Sequence, residues 1–517
     1  MPSKNIDNKE IKETINITKK HIIIVIITIL LITITGTFAW LSWKSNDTAL
    51  VLTVGDINSA QVILKPYQIN STITPVLTYE NEEYTEVTAT NNSTTAKVIK
   101  LFYKINNIDP ELVSTDFKYT ITKSTDNGST YTEYLSGDFS TASTDTELYI
   151  MEENLPESTT YKYKVYIWLY SSDENQTNIQ GKSFNGELRA TIEEAPIITT
   201  TDLVSKANPS TLSYADATDS QKGEMWTFAH DATTQTSATT DYRYIGSSPN
   251  NYITFNDEVW RIIGVFDGRI KIIRNDTSGN MSWDYKQPGV GSSTTNHGSN
   301  DWTDSQLMYM LNPTSYTLKT GYSLTDGKIY DGSSNIIYQL GCKPASIASG
   351  ATSYSCTSNT WSLNSTALSQ IAEATYYLGG SSSTSGHSAE TYYAFERGTT
   401  RYSSRRPTSW TGLVGLMYPS DYVYTFANGV DDTCYTDTYN CYSSTPSSSW
   451  LYKSGTNQWT VSPRSSYAYS VFYVGGGGLV SGDRALNSNG VRPVVYLRSD
   501  IKLQGGGTSD DPYEIIG

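Results

Sequence analysis

Histidine and cysteine are scarce in this chain: 517 residues hold four of each. His21 lies beside an apolar run, and His230, His297 and His387 fall in polar stretches with no Ser or Cys nucleophile motif nearby, so no nucleophilic triad is legible. No C-x-x-C pair and no histidine cluster accompanies the cysteines, which argues against zinc. Charge is also sparse, at 17% of residues, and the formal net charge is −15. A surface with so few cations is ill suited to phosphate backbones, so nucleic acid is not an expected partner. Phenylalanine is low, at 11, against 40 tyrosines. Long aliphatic helical patterns are missing too, and runs of Ser, Thr, Asn and Tyr point to a mainly β protein.

What charge there is forms no catalytic pair. Asp431 and Asp432 are adjacent in sequence, which is not the signature of a glycosidase dyad. Enzymatic activity therefore has no support, and no resident cofactor is expected. Calcium alone stays open, through Asp431 and Asp432 with Asp437 or Asp421, because hard cations take clustered oxygens; EF-hand spacing is lacking. Cys342 and Cys356, and Cys434 and Cys441, are close neighbours in Ser/Thr/Tyr-rich segments, and two local disulfides are expected from them. Three connectivities satisfy four cysteines, so the pairing stays open at this level.

The one long uncharged run is Ile22–Trp43. About 20 apolar residues suffice to cross a bilayer core as a helix. Five lysines precede the run and only Lys44 follows closely, which places residues 1–20 in the cytoplasm and the bulk outside. Residues 21–43 are thus expected to be a single-pass membrane anchor. Thr37-Phe38-Ala39 is a small-x-small triplet, so a cleaved leader is the alternative.

Beyond the anchor, strand-like runs occur at Leu50–Val54, Gln61–Leu64, Glu86–Thr90, Ala96–Ile105, Phe117–Thr122, Glu147–Met151, Tyr161–Tyr170 and Glu187–Ile192. Short strands at this spacing predict a β-sandwich over 44–194. Residues 195–212 have the Pro/Thr composition of a linker, and 213–517 form a second domain of α+β character. There Tyr252–Phe255, Glu258–Phe266 and Arg269–Arg274 read as a meander turned by Asn256-Asp257 and Asp267-Gly268. A short helix is expected within Ala215–His230. Trp302–Leu311, capped by Thr303 or Asp304, and Leu363–Tyr377 read as two further helices. Trp459–Ser462, Val471–Val474 and Arg492–Leu497 read as closing strands.

Two resemblances add to this. Gly36–Trp43, with Gln180-Gly181-Lys182-Ser183-Phe184 near the end of the first domain, resembles bacterial surface proteins of the camelysin and biofilm-matrix fibre type. That likeness implies a jelly-roll-like module serving as spacer or in homo-oligomeric assembly. Trp459-Thr460-Val461-Ser462-Pro463-Arg464, Val471–Val474 and Asn489-Gly490-Val491-Arg492-Pro493-Val494-Val495 together resemble a bacterial surface domain similar to the fold shared by C-type lectins and formylglycine-generating enzymes. Those enzymes hold copper with paired cysteines. Cys434 and Cys441 are the only positional counterparts, their spacing differs, and the role is not carried over.

These readings converge on a membrane-anchored extracellular adhesin that contacts glycan or protein through loops of the second domain. Arg464, Tyr467, Tyr469, Tyr473 and Arg484 are the contact candidates, since Tyr-, Ser- and Gly-rich loops bind adaptably at low entropic cost. Arg492, set among apolar strand residues, is expected to pin a loop. The alternatives are a structural fibre subunit and, behind it, an enzyme on the second domain's fold.

Overall fold

The computed structural model describes residues 50–54, 60–65, 74–172, 176–179, 181–285, 298–313, 318, 320–344, 356–383, 387–426 and 446–516. The expected anchor at 21–43, the tail before it, His297, and the Cys434–Cys441 pairing lie outside them. Among the described residues no helix is long and apolar enough to cross a membrane. The chain is mainly β and divides into two compact units, Met1–Ala195 and Pro196–Gly517.

The first unit is built on alternation. Its strands are β1 (Leu50–Val54), β2 (Ala60–Lys65), β3 (Pro75–Val76), β4 (Tyr84–Asn91), β5 (Lys97–Ile108), β6 (Phe117–Ser124), β7 (Thr132–Asp138), β8 (Thr146–Leu155), β9 (Thr159–Tyr170) and β10 (Phe184–Glu194). One sheet runs β1-β2-β4-β9-β6-β7, with β3 alongside β9; the other runs β10-β5-β8. Every second residue of β4 is buried, as a strand with one wet face requires. Val87, Val165 and Ile167 of one sheet join Ile99, Leu101 and Leu188 of the other in a single core. Phe117, Phe139 and Phe184 fill one end, with the Phe117 and Phe139 rings stacked at 4.3 Å. The turn after β6 is made by Asn127 and Gly128, both at positive φ, with Asp126 accepting from the amides of Ser129 and Thr130.

In the second unit the largest sheet carries Met225–His230, Thr239–Tyr244, Glu258–Phe266, Arg269–Arg274, Val494–Leu497 and Ile371–Ala372 in that order. The expected meander is present: Asn256 and Asp257 take φ of 57° and 58°, and Tyr252–Phe255 pairs with Glu258–Phe266. A bulge follows at Gly264, where a Cβ would meet the Tyr242 carbonyl at 2.0 Å; only glycine fits. A second sheet joins Asn280–Ser282, Ser488–Gly490, Gln458–Pro463, Ser470–Val474 and Val480–Arg484. Ile198–Thr199 pairs with Lys502–Gln504, so part of the stretch read as linker belongs to this unit, followed by a helix at Thr200–Ser205.

Three helix expectations are corrected. Ala215–His230 holds a helix only at Asp219–Gly223, and Met225–His230 is a strand paired with Thr239–Tyr244. The helix near Trp302 runs Gln306–Leu311 and is capped by Ser305, whose hydroxyl accepts from the Met308 amide; Trp302–Asp304 is a separate 3-10 turn. Leu363–Tyr377 is helical only at Ser365–Gln370, because Ile371–Ala372 and Ala374–Tyr377 are drawn into pairing with Val494–Leu497 and Ser409–Gly412. Cys342 and Cys356 form the expected disulfide, with Cα atoms 5.2 Å apart.

Candidate functional site

The first unit carries an aromatic cleft that its strand pattern makes unavoidable. Along β9, Tyr163, Val165, Ile167 and Leu169 point into the core, so Tyr166, Trp168 and Tyr170 must share the opposite face. Register then sets their neighbours. Trp168 lies across from Lys118, which lies across from Asp138, while Tyr166 is flanked by Thr120 and Tyr84 and Thr120 lies across from Ser136. Tyr79, just after β3, folds over this face, its ring 5.0 Å from Tyr166 and 6.2 Å from Trp168.

The result is an open cavity of about 560 Å³ lined by Tyr79, Trp168 and Tyr170 with Lys118, Glu133 and Asp138. The Trp168 indole donates to Thr120 Oγ1 at 3.1 Å, which fixes the cleft floor. Lys118 sits 5.7 Å over the Tyr170 ring. Burial, then the Glu133 carboxylate, pushes the Tyr79 phenol up to about 12. Asp138 is held below its ordinary range by bonds from Ser140. The cleft thus sets a phenol held neutral and an ionised Asp138 beside apolar ring faces, with Glu133 and Lys118 at its rim. Such a surface stacks on a flat apolar face and hydrogen-bonds the groups at its rim. No residue of this cleft was among the sequence candidates. The Tyr-x-Trp-x-Tyr alternation on β9 is the signal that marks it.

The second-unit candidates are partly brought together. Arg464 donates to the Ser382 carbonyl at 2.8 Å and lies 5.2 Å from the Tyr467 ring, which is 5.5 Å from that of Tyr469. Tyr467 is 47% exposed. Arg484 ends the strand opposite Ser470, and the next amide bonds to the Tyr469 carbonyl. Tyr473 lies further along and packs against Trp459. Arg492 is buried, its guanidinium donating to the carbonyls of Arg274 and Leu451 and to Gln458 Oε1.

Two other expectations change. His230 is not in a polar loop but ends a strand and stacks on Tyr393 at 3.8 Å, and His387, in the loop before the Ala389–Glu396 helix, meets Tyr392 and Phe395 edge-on. Asp421 is not available to calcium, because Arg243 and Lys271 claim its carboxylate; Asp431, Asp432 and Asp437 lie outside the described residues. Among the described residues no group of three metal-binding side chains occurs.

Around Asp421 the second unit buries an ion cluster. Asp241 accepts from Arg243 at 2.8 Å, and against the upward push of burial this holds it at about 2. Glu396 goes the other way. Burial raises it to about 7, although Arg397 and the Ser420 amide and hydroxyl favour its charged form; Asp421 adds to the rise. An acid raised on folding stabilises fully below its unfolded value of 4.5, and the contribution is lost as pH climbs through about 7. Denaturant titrations from pH 4.5 to 8 should show this unit losing up to about 3 kcal/mol from this group. Glu396→Gln should flatten that slope; an unchanged slope would assign it to other groups.

No family model and no curated protein matches the chain. Among solved structures, a xylan-binding module, CBM15, is similar at 13% identity over 29% of this chain and 98% of its own, with a TM-score of 0.15. A mutant of Xylanase10C from Cellvibrio japonicus in complex with xylopentaose is similar at 13% identity over 30% of this chain and 29% of its own, with a TM-score of 0.14. Likenesses this faint carry no argument about this chain.

Proposed function

We propose that this is an extracellular recognition protein, held at a membrane by residues 21–43, whose first unit binds glycan in the β9 cleft. The observation behind the reading is the cleft itself, where Tyr79, Trp168 and Tyr170 stand beside Thr120, Ser136, Glu133 and Asp138. A sugar ring has one apolar C–H face and a rim of hydroxyls, and such a ligand uses both halves of this lining. The first unit is a jelly-roll-like sandwich in this proposal, and the second a C-type-lectin-like domain. Arg464 and the exposed Tyr467 give that second domain a contact surface of its own.

Glycan-array binding of the purified protein, followed by titration of the best hit, tests the proposal. Tyr170→Ala and Tyr79→Ala should each weaken binding about tenfold, the loss of roughly one stacking contact. Tyr467→Ala should leave it unchanged. Loss with Tyr467→Ala instead would move the site to the second unit. No saturable glycan binding, with filaments forming, would favour the fibre-subunit reading, for which the edge strand β7 offers unpaired backbone.

A further inference from the structure

The second unit contains a half-open polar cavity that the cleft on the first unit does not explain. It measures about 400 Å³ and is walled by Phe266, Tyr377, Tyr393, Tyr418 and Tyr496. Arg397 lines it, with only 6% of the residue exposed. Its guanidinium lies 3.5 Å over the Tyr393 ring, on which the His230 imidazole also stacks, and 5.5 Å from the rings of Tyr377 and Tyr418. Of the five N–H groups a guanidinium carries, one reaches Glu396 Oε2, at 3.3 Å, among the described residues. Glu396 is in turn occupied by the Ser420 amide and hydroxyl. A buried cation held by ring faces but with few of its donors engaged, lining an open space, is poised for an acceptor from outside.

The remaining lining narrows what that acceptor is. Arg269 supplies a second cation and is steadied by the Glu373 carbonyl at 2.8 Å. Asp241 also lines the space but is already claimed by Arg243, and Asp267 sits at an exposed turn. With Asp241 paired to Arg243, two arginines face the single carboxyl group of Asp267, an excess of about one cation that suits a monoanion better than a phosphate dianion. Gln235, Thr236, Ser237, Thr239 and Thr375 surround the rest with hydroxyl and amide groups. The roof is preformed: Gln235 Nε2 donates to the Gly398 carbonyl at 2.7 Å, and Thr233 Oγ1 to that of Arg397 at 3.1 Å.

We propose that this cavity binds an acidic monosaccharide, its carboxylate on Arg397 and Arg269, its hydroxyls on the Gln/Thr/Ser rim and its ring against the tyrosine walls. The inference stands apart from the cleft on the first unit, and neither needs the other. Saturation-transfer NMR and calorimetry on the purified protein test it, with D-galacturonic acid and N-acetylneuraminic acid as probes and galactose and methyl galacturonate as neutral controls. At least one acid should bind saturably and the neutral sugars at least tenfold more weakly. Arg269→Gln, at a half-exposed position, should weaken the acid at least fivefold without disturbing the fold, while Tyr170→Ala in the other unit should have no effect. Arg397→Gln should abolish binding; where that variant fails to fold, Arg269→Gln decides. Failure of both acids to bind, equal binding of the neutral sugars, or indifference to Arg269→Gln in a folded protein would each overturn the proposal.

Discussion

Replacing Asp421 with alanine is expected to destabilise the second unit by about 3–5 kcal/mol, the cost of stranding buried charge. The carboxylate is 1% exposed and accepts from Lys271 Nζ, from Arg243 Nη1 at 3.1 Å and from the Tyr418 amide at 2.8 Å. Burial alone would raise it, yet Lys271 and Arg243 together hold it below its ordinary range, so it is charged in the folded protein. Without it Arg243 keeps Asp241 and the faces of Phe266 and Tyr424, and Lys271 is left with the faces of Tyr418, Phe266 and Tyr496. The Tyr418 amide, at the start of the Pro419–Val423 helix, loses its acceptor as well. Urea unfolding followed by tryptophan fluorescence reads the loss. Adding Lys271→Met to Asp421→Asn should recover part of it, since removing both charges is cheaper than orphaning one. A loss under about 1 kcal/mol for the single variant would show that water reaches the cluster.

This cluster also marks where sequence reading stops. Asp241, Lys271, Glu396 and Asp421 come from four separate stretches of chain, and nothing local to any of them announces a common site. The first unit's strands are legible because inward apolar residues recur two apart, as Val87 and Ala89 in β4 and Val165, Ile167 and Leu169 in β9. β7 is not, for the same reason: TEYLSGD is an edge strand with no buried residue and so carries no apolar alternation. The apolar residues of Leu363–Tyr377 fit a helical period, whereas cross-strand pairing of Ala374–Tyr377 with Ser409–Gly412, about 35 residues on, decides the matter. The contact candidates fared according to their spacing. Arg464, Tyr467 and Tyr469 meet because one turn holds them, whereas Tyr473 lies on the strand that follows. The β9 cleft lay in plain alternation, yet its meaning depends on Tyr79 folding across from another part of the chain.

Trp459 shows how far a locally legible residue depends on a partner that is not. Its strand is legible in the sequence, but its indole donates to the Met281 carbonyl at 2.9 Å, while Trp283, in no expected element, donates back to the Thr460 carbonyl at 3.0 Å. The two rings therefore tie Asn280–Ser282 and Gln458–Pro463 together across Ser488–Gly490, the strand between them. Both are fully buried, and Trp283 packs on Trp302 at 5.3 Å, which in turn meets Trp410. Trp459→Ala is expected to cost about 3–5 kcal/mol, from lost burial and the cavity left behind. Trp459→Phe keeps most of the volume and loses the donor, so about 1 kcal/mol is expected from the lost hydrogen bond. If the two tryptophans act as one tie, Trp283→Phe on the Trp459→Phe background should cost at least 0.5 kcal/mol less than on the wild type, since neighbours in one network are not additive. Equilibrium unfolding of the four proteins gives that coupling directly. Strict additivity would mean that each indole serves only its own side of the sheet.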